Sequence, residues 1–103
     1  MSYKILLVVD DPDILEIIGY NLKKEGYEIF TAEDGFIAIE QAKKHQPNLI
    51  ILDVMMPNMN GIEACTKIRE IPEMSKTIIT FLTARSEDYS QIAGLEAGAD
   101  DYL

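Results

Sequence analysis

The chain has 103 residues, 48% of them hydrophobic and 26% charged, which is typical of a single globular domain with one core. With 18 acidic and 9 basic residues its net charge is −9, which argues against direct nucleic-acid binding and is compatible with a divalent cation or a basic protein partner. The apolar runs are short, no signal peptide opens the chain, and there is one cysteine, so we expect a cytoplasmic protein without a membrane segment.

The first third of the chain predicts a strand, a helix and a second strand. Residues 5–9 form an apolar run typical of a strand buried on both faces of a parallel sheet. Asp11 and Pro12 have the residue types of an N-cap and a first helical position, and Gly26 stands where a helix stop belongs. Between them lie apolar residues at helical spacing: Ile14, Ile17, Ile18 and Leu22. Residues 27–32 predict a weaker strand, rich in β-forming residues.

The middle of the chain continues the alternation of helix and strand. Asp34 and Gly35 introduce a second helix, which ends before Pro47. Its apolar residues are Ile37, Ala38 and Ala42. The apolar run at residues 49–52 then predicts a third strand that is buried on both faces.

The last part of the chain predicts two more helices and two more strands. Asn60 has the residue type of an N-cap for a third helix, and Pro72 closes that helix. The inner stripe of this helix is predicted to carry Ile62, Cys65 and Ile68, with Cys65 as a buried structural thiol. Residues 78–82 predict a fourth strand, residues 86–98 a fourth helix capped by a serine, and a fifth strand begins near Tyr102.

Strands and helices therefore alternate along one domain, without an internal repeat or a linker. Strict alternation with short connections predicts a parallel sheet with right-handed crossovers and helices on both faces. In open sheets of this kind, ligands bind beyond the carboxyl ends of the strands, at the point where the strand order reverses. The residues that follow each apolar run are therefore the candidates for a functional site.

Polar residues stand at three of the predicted strand ends. Strand one runs into Asp10 and Asp11, strand three into Asp53, and strand four into Thr83. If strands one and three are neighbours, three carboxylates converge, and their repulsion costs stability unless a cation joins them. An all-oxygen ligand set, to which the backbone carbonyl of Met55 could add, suits Mg²⁺ better than zinc or copper. The alternative, that Asp11 only caps the helix, stays open.

The chain resembles, over all 103 residues, the receiver domain of bacterial two-component response regulators. The resemblance rests on three segments: ILLVVDDPDIL, LIILDVMMPNMNGIE, and FLTAR followed by GLEAGADDYL. The receivers that it resembles most are those joined to winged-helix DNA-binding domains. The resemblance implies a flavodoxin-like, doubly wound parallel sheet with strand order 2-1-3-4-5.

The resemblance also implies the chemistry of the acidic residues. Asp53 would accept a phosphoryl group from a phosphohistidine of a sensor histidine kinase and form an aspartyl phosphate. Asp11, Asp53 and the Met55 carbonyl would bind Mg²⁺, and Asp10 would hold a metal-bound water.

The resemblance assigns the remaining roles to residues near strands four and five. The Thr83 hydroxyl and the Ala84 amide would hydrogen-bond the phosphoryl oxygens. Tyr102 would rotate inward when Thr83 is drawn toward the phosphate, so that the domain acts as a switch. A switch of this kind is not an enzyme with a turnover cycle.

Three other functions compete with this hypothesis. A phosphatase or hydrolase with an aspartate nucleophile usually has a second acid two residues later, where this chain has Met55. A flavin- or nucleotide-binding module needs a loop that cradles phosphate after strand one, whereas this chain has Asp-Asp-Pro-Asp. A degenerate receiver that acts only by protein contacts stays open as the alternative.

The end of the sequence generates two further expectations. The chain stops at Leu103, before the lysine and the last helix that receivers normally have, so we expect an incomplete last strand and no last helix. Apolar surface left exposed on the sheet and first helix predicts a homodimer, another form of self-association, or lower stability. Without that lysine, we expect slow phosphate loading from small-molecule donors.

Overall fold

The computed structural model describes residues 3–54, 56 and 59–82, together with the backbone of residues 101–102. The predicted fourth helix, at residues 86–98, lies outside the described residues. So do Met55, Thr83, Ala84 and the side chain of Tyr102. Within the described part of the chain, every helix is too short or too polar to span a bilayer.

The strands form a single parallel sheet. Their bounds are β1 Lys4–Val8, β2 Glu28–Ala32, β3 Leu49–Asp53, β4 Ile78–Leu82 and β5 Asp101–Tyr102. The order across the sheet is β2-β1-β3-β4-β5, with parallel pairing between all neighbours. This confirms the predicted order 2-1-3-4-5 and the doubly wound class of fold.

The described helices begin where the sequence predicts. Their bounds are α1 Pro12–Lys24, α2 Gly35–His45 and α3 Gly61–Arg69, and a short 3₁₀ turn follows at Pro72–Met74. Each helix is capped by the predicted side chain: Asp11, Asp34 and Asn60 accept hydrogen bonds from backbone N–H groups of the first turn. Caps of this kind satisfy donors that a helix start otherwise leaves without a partner.

The helices cover both faces of the sheet, because strand side chains alternate between the faces. One face packs against α1 through Ile5, Leu7, Val9 and Ile51 of the sheet and Leu15, Ile18 and Leu22 of the helix. The other face packs against α2 and α3 through Leu6, Val8, Ile50, Leu52, Ala38, Ala42, Ala64, Cys65 and Ile68. The prediction of a buried Cys65 is confirmed.

The buried face of α1 is rotated about the helix axis relative to the face that the sequence predicts. Ile14 and Ile17 are 41% and 62% exposed, whereas Leu15 packs against the sheet beside Ile18 and Leu22. Residues at spacings of three and then four stay on one side of a helix, whereas repeated spacings of four drift around it. The inner stripe therefore begins at Leu15 and not at Ile14.

In α2 the contact with the core is made by Ala38 and Ala42, together with the partly buried Ile39, and Ile37 is not among the core residues. Ala38 and Ala42 are fully buried, while Ile37 is 39% exposed. Small side chains let the helix backbone approach the sheet closely. The third helix follows the prediction, since Cys65 and Ile68 are fully buried and Ile62 packs against the same core.

The ends of α1 and α2 both require a left-handed backbone conformation. Gly26 has φ of 96°, its N–H donates to the Lys23 carbonyl, and the Tyr27 N–H donates to the Leu22 carbonyl, as in a Schellman motif. Gln46 has φ of 48° at the end of α2, where its N–H donates to the Ala42 carbonyl. A residue with a Cβ is strained in this region, whereas glycine is not.

The edge of the sheet where the strands begin is held by polar contacts. The Thr77 hydroxyl donates to the Pro47 carbonyl at 3.0 Å. The Arg69 guanidinium donates to the carbonyls of Met74 at 2.9 Å and Thr77 at 2.6 Å. These bonds join the segment before β4 to the end of α3 and to the segment before β3. The opposite edge of the sheet is the one with the acidic residues.

We predict that substitutions at the two left-handed positions change stability in opposite directions. Gly26→Ala should lower the free energy of unfolding by about 1 kcal/mol, because alanine is strained at positive φ. Gln46→Gly should raise it by roughly 0.5–1 kcal/mol, because the strain is removed. Urea unfolding followed by circular dichroism measures both changes. A loss of stability in both variants would contradict the prediction.

Candidate functional site

The pairing of the strands determines which strand ends lie together. Strand β1 pairs with β3, with Val8 opposite Leu52, and β3 pairs with β4, with Asp53 opposite Leu82. Because all these strands are parallel, their carboxyl ends meet at one edge of the sheet. We call this edge, formed where β1, β3 and β4 end, the carboxyl edge.

Asp53 is the last residue of β3 and lies at the centre of the carboxyl edge. It is half-buried, and the residues on either side of it, Leu52 and Val54, are buried. By the alternation along the strand, its side chain shares a face with Ile51, which packs toward α1. A carboxylate with apolar neighbours and partial exposure interacts strongly with a cation and is still reachable by a partner.

Asp11 is exposed and caps α1. Its Oδ1 atom accepts hydrogen bonds from the N–H groups of Asp13 at 2.9 Å and Ile14 at 3.4 Å. The prediction that Asp11 caps α1 is therefore confirmed. Both of these bonds use Oδ1, so capping does not by itself prevent the carboxylate from binding a cation through its second oxygen.

Asp10 follows the end of β1 and is exposed. Together with Asp11 and Asp53 it supplies the carboxylates at the carboxyl edge. The described residues contain no group of three or more His, Cys, Asp or Glu side chains placed to hold a metal ion. The expected convergence of three carboxylates on a single ion is therefore not seen among them.

The residues of the carboxyl edge nevertheless fit Mg²⁺ by the chemistry of their donors. All the candidate ligands are oxygens, which Mg²⁺ prefers. Mg²⁺ in proteins usually keeps several waters and takes one or two carboxylates, so a complete protein cage is not required. Asp53 ends β3, and Asp11 begins the helix that follows the neighbouring strand β1, so the carboxylates that this smaller requirement needs are present in residue type.

Gly61 is a residue of this region that the sequence analysis missed. It is the first residue of α3, and its N–H donates to the Val54 carbonyl at 2.8 Å. A Cβ atom added to it would lie 2.9 Å from the Asp53 carbonyl carbon and closer still to the carbonyl oxygen. Glycine lowers the stability of a helix, so a glycine directly after the predicted cap residue was the signal in the sequence that a close contact excludes a side chain here.

The chain matches a known protein family and a curated relative over nearly all of its length. A family model described as the response regulator receiver domain matches residues 5–103. The alkaline phosphatase synthesis transcriptional regulatory protein PhoP of Bacillus subtilis is 44% identical over 103 residues, which are 100% of this chain and 42% of that protein. The chain thus spans less than half of the length of this curated relative.

Solved structures with this fold match the chain. The chemotaxis protein CheY4 of Vibrio cholerae has a TM-score of 0.96 at 33% identity, over 100% of this chain and 86% of that chain. The receiver domain of the sensor histidine kinase PA1611 from Pseudomonas aeruginosa, solved with a magnesium ion coordinated in its active site cleft, has a TM-score of 0.91 at 30% identity. That match covers 100% of this chain and 84% of the other. The sheet order, the acidic carboxyl edge and these matches agree, and the chain belongs to the response regulator receiver domain family.

Proposed function

We propose that this chain, residues 1–103, accepts a phosphoryl group on Asp53 from a sensor histidine kinase and acts as a switch in a phosphorelay. The observation that carries the proposal is the position of Asp53, half-buried at the centre of the carboxyl edge between the ends of β1 and β4. In open parallel sheets this is the place where ligands bind.

The transfer needs little covalent chemistry from the protein. A carboxylate oxygen of Asp53 attacks phosphorus, the P–N bond to the kinase imidazole breaks, and the imidazole nitrogen keeps the electron pair. The product is an aspartyl phosphate, formed once for each phosphohistidine used, so the chain is a stoichiometric acceptor and not an enzyme. Because the transition state spreads its charge over the phosphoryl oxygens, alignment and charge neutralisation lower the barrier.

Magnesium is the cofactor that we propose for this site. Asp11, Asp53 and the Met55 backbone carbonyl would hold it, and Asp10 would bind it through a water molecule. When bound, Mg²⁺ neutralises charge that develops on the phosphoryl oxygens. The all-oxygen donor set supports this assignment, and so does the magnesium ion in the cleft of the PA1611 receiver domain.

We propose Thr83, Ala84 and Tyr102 as the residues that respond to the phosphate. Thr83 and Ala84 directly follow β4, whose last residue pairs with Asp53, and this supports a role as phosphoryl-oxygen donors. Tyr102 pairs through its backbone with Phe81, two residues before Thr83, which supports communication between these positions. The phosphate adds negative charge and acceptor oxygens that would draw Thr83 toward Asp53.

A degenerate receiver that acts only by protein contacts is the second candidate. Two observations favour it: the Asp11 side chain caps α1, and the described residues hold no three-membered metal-binding group. The two candidates differ in whether the chain takes up phosphate. In either case we propose that it works in the cytoplasm, beside a kinase domain, and does not itself bind nucleic acid.

We predict that Asp53 is the residue that carries the phosphoryl group. Asp53→Asn removes the nucleophile while keeping the size of the side chain, so phosphorylation by the cognate kinase should be abolished. Asp34→Asn is the control, because asparagine also caps a helix and Asp34 caps α2. Intact-protein mass spectrometry, with and without hydroxylamine to cleave an acyl phosphate, measures the product. Phosphorylation that persists in Asp53→Asn would refute the assignment.

We predict that Asp11 serves Mg²⁺ as well as α1. Asp11→Asn keeps the cap, so the free energy of unfolding should change by less than about 0.5 kcal/mol. It removes a carboxylate, so the affinity for Mg²⁺ should fall by roughly tenfold or more. Isothermal titration with Mg²⁺ measures this, with Asp13→Asn, in the first turn of α1, as the control. Equal affinities in both variants would show that Asp11 is only a cap.

We propose self-association through the outer face of α1. This face has the exposed apolar residues Ile14, Ile17 and Tyr20 at three-residue spacing, and contiguous apolar surface favours association. Sedimentation velocity at increasing protein concentration should show association that weakens in Ile17→Ser. It should not weaken in Phe36→Ser, which changes an exposed apolar residue of α2. A monomer at all concentrations would contradict the proposal.

A further inference from the structure

We propose that Gly61 is a positioning residue for the phosphoacceptor. Its lack of a side chain lets the start of α3 lie against the Asp53 carbonyl group, and this contact sets the position of the Asp53 carboxylate. The inference rests on the proposed function and deepens it, since it assigns a further role at the same site.

Space is the reason for a glycine at this position. A Cβ atom on Gly61 would lie 2.9 Å from both the Asp53 carbonyl carbon and the Val54 Cα atom, and closer still to the Asp53 oxygen. Real Cβ atoms essentially never approach other atoms to less than 3.0 Å. The left-handed backbone region is not involved, since Gly26 is the glycine with positive φ among the described residues. Helix propensity alone would favour alanine at residue 61.

Both sides of this contact are held in place. On one side, β3 is paired with β1 through Leu52 and with β4 through Asp53 itself. On the other, α3 is anchored by side chains that are fully buried against the sheet: Ala64, Cys65 and Ile68. The hydrogen bond from the Gly61 N–H to the Val54 carbonyl joins the two sides at 2.8 Å. A side chain at residue 61 must therefore displace the Asp53–Val54 peptide or lift the start of α3.

Displacement of that peptide moves the nucleophile. The Asp53 carbonyl and the Asp53 carboxylate branch from the same Cα atom, so a rotation of one shifts the other. In-line transfer requires aligned atoms, and a misplacement of about 1 Å costs on the order of 10²-fold in rate. Gly61 would thus act on the reaction through Asp53 without touching the phosphoryl group.

Two other glycines of the chain provide matched controls. Gly35 is the first residue of α2, as Gly61 is of α3, and a Cβ there would lie 2.8 Å from the Met59 Cβ and Cγ atoms. Gly35→Ala thus creates a clash with a side chain and not with the Asp53 backbone. Gly19 lies within α1 and has nothing within 4 Å of an added Cβ, so Gly19→Ala creates no clash.

The test measures phosphoryl transfer to the 103-residue chain from a small phosphoramidate donor with Mg²⁺. Initial rates at increasing donor concentration separate the maximal rate from the concentration dependence, at a temperature where circular dichroism shows each variant folded. Gly61→Ala should lower the maximal rate roughly 10- to 100-fold. Gly35→Ala and Gly19→Ala should stay within about twofold of wild type, although Gly35→Ala also lowers the melting temperature.

The outcomes distinguish this inference from the proposed function. A wild-type chain that takes no phosphoryl group from the donor or the kinase overturns both. A wild-type chain that is phosphorylated, with Gly61→Ala no slower than Gly35→Ala, overturns the role of Gly61 alone.

A second pair of variants applies if Gly61→Ala does not fold. Asn60→Ala removes the 2.9 Å cap bond at the start of α3 and adds no atoms near Asp53. Asp34→Ala removes the corresponding 2.9 Å bond of α2. Slower transfer in Asn60→Ala than in Asp34→Ala supports the positioning role, and equal rates in the two variants overturn it.

Discussion

The parallel pairing of β1 with β3 is the constraint on which the rest of the structure depends. It places β2 and β3 on opposite sides of β1, so the right-handed connections through α1 and α2 cross opposite faces of the sheet. In open sheets of this kind, two such connections diverge beyond the carboxyl ends of the strands, and ligands bind in the crevice between them. In the same pairing Val8 lies opposite Leu52, so Asp53 is one residue beyond this last pair, and Asp10 and Asp11 are two and three residues beyond it.

The two edges of the sheet differ in what holds them. At the edge where the strands begin, Thr77, Arg69 and Asn48 join neighbouring segments by hydrogen bonds to the backbone. At the carboxyl edge, Asp53 ends β3, Asp10 follows the neighbouring strand β1, and Asp11 caps α1. Like charges brought to one ion repel each other when the ion is absent, so the proposed magnesium site would depend on stability that is supplied elsewhere in the molecule. The buried strands and the hydrogen-bonded edge where the strands begin are described features that would supply it.

Local signals in the sequence were sufficient to predict where the described helices begin and which face of α3 is buried, but not which faces of α1 and α2 are buried. Asp11, Asp34 and Asn60 cap helices as predicted, because a cap depends on residues within one turn. The prediction of the inner face of α1 was wrong at its first residue, because Leu15 and not Ile14 contacts the sheet. Both are apolar, and the direction from which the sheet approaches decides between them.

The sequence by itself determined the order of strands and helices, the buried character of the strands and the acidic residues at their ends, because these depend on residue type and short-range periodicity. The family resemblance supplied the order of the strands across the sheet, and the observed pairing confirms it. Only the tertiary structure decided that Leu15 faces the sheet, that the Oδ1 atom of Asp11 takes both cap bonds, and that Gly61 lies against the Asp53 carbonyl. Seven residues separate Asp53 from Gly61 in the sequence, and their composition does not specify the path that the chain takes between the two. Contacts of this kind arise when a helix packs onto a sheet, and no spacing rule in the chain encodes them.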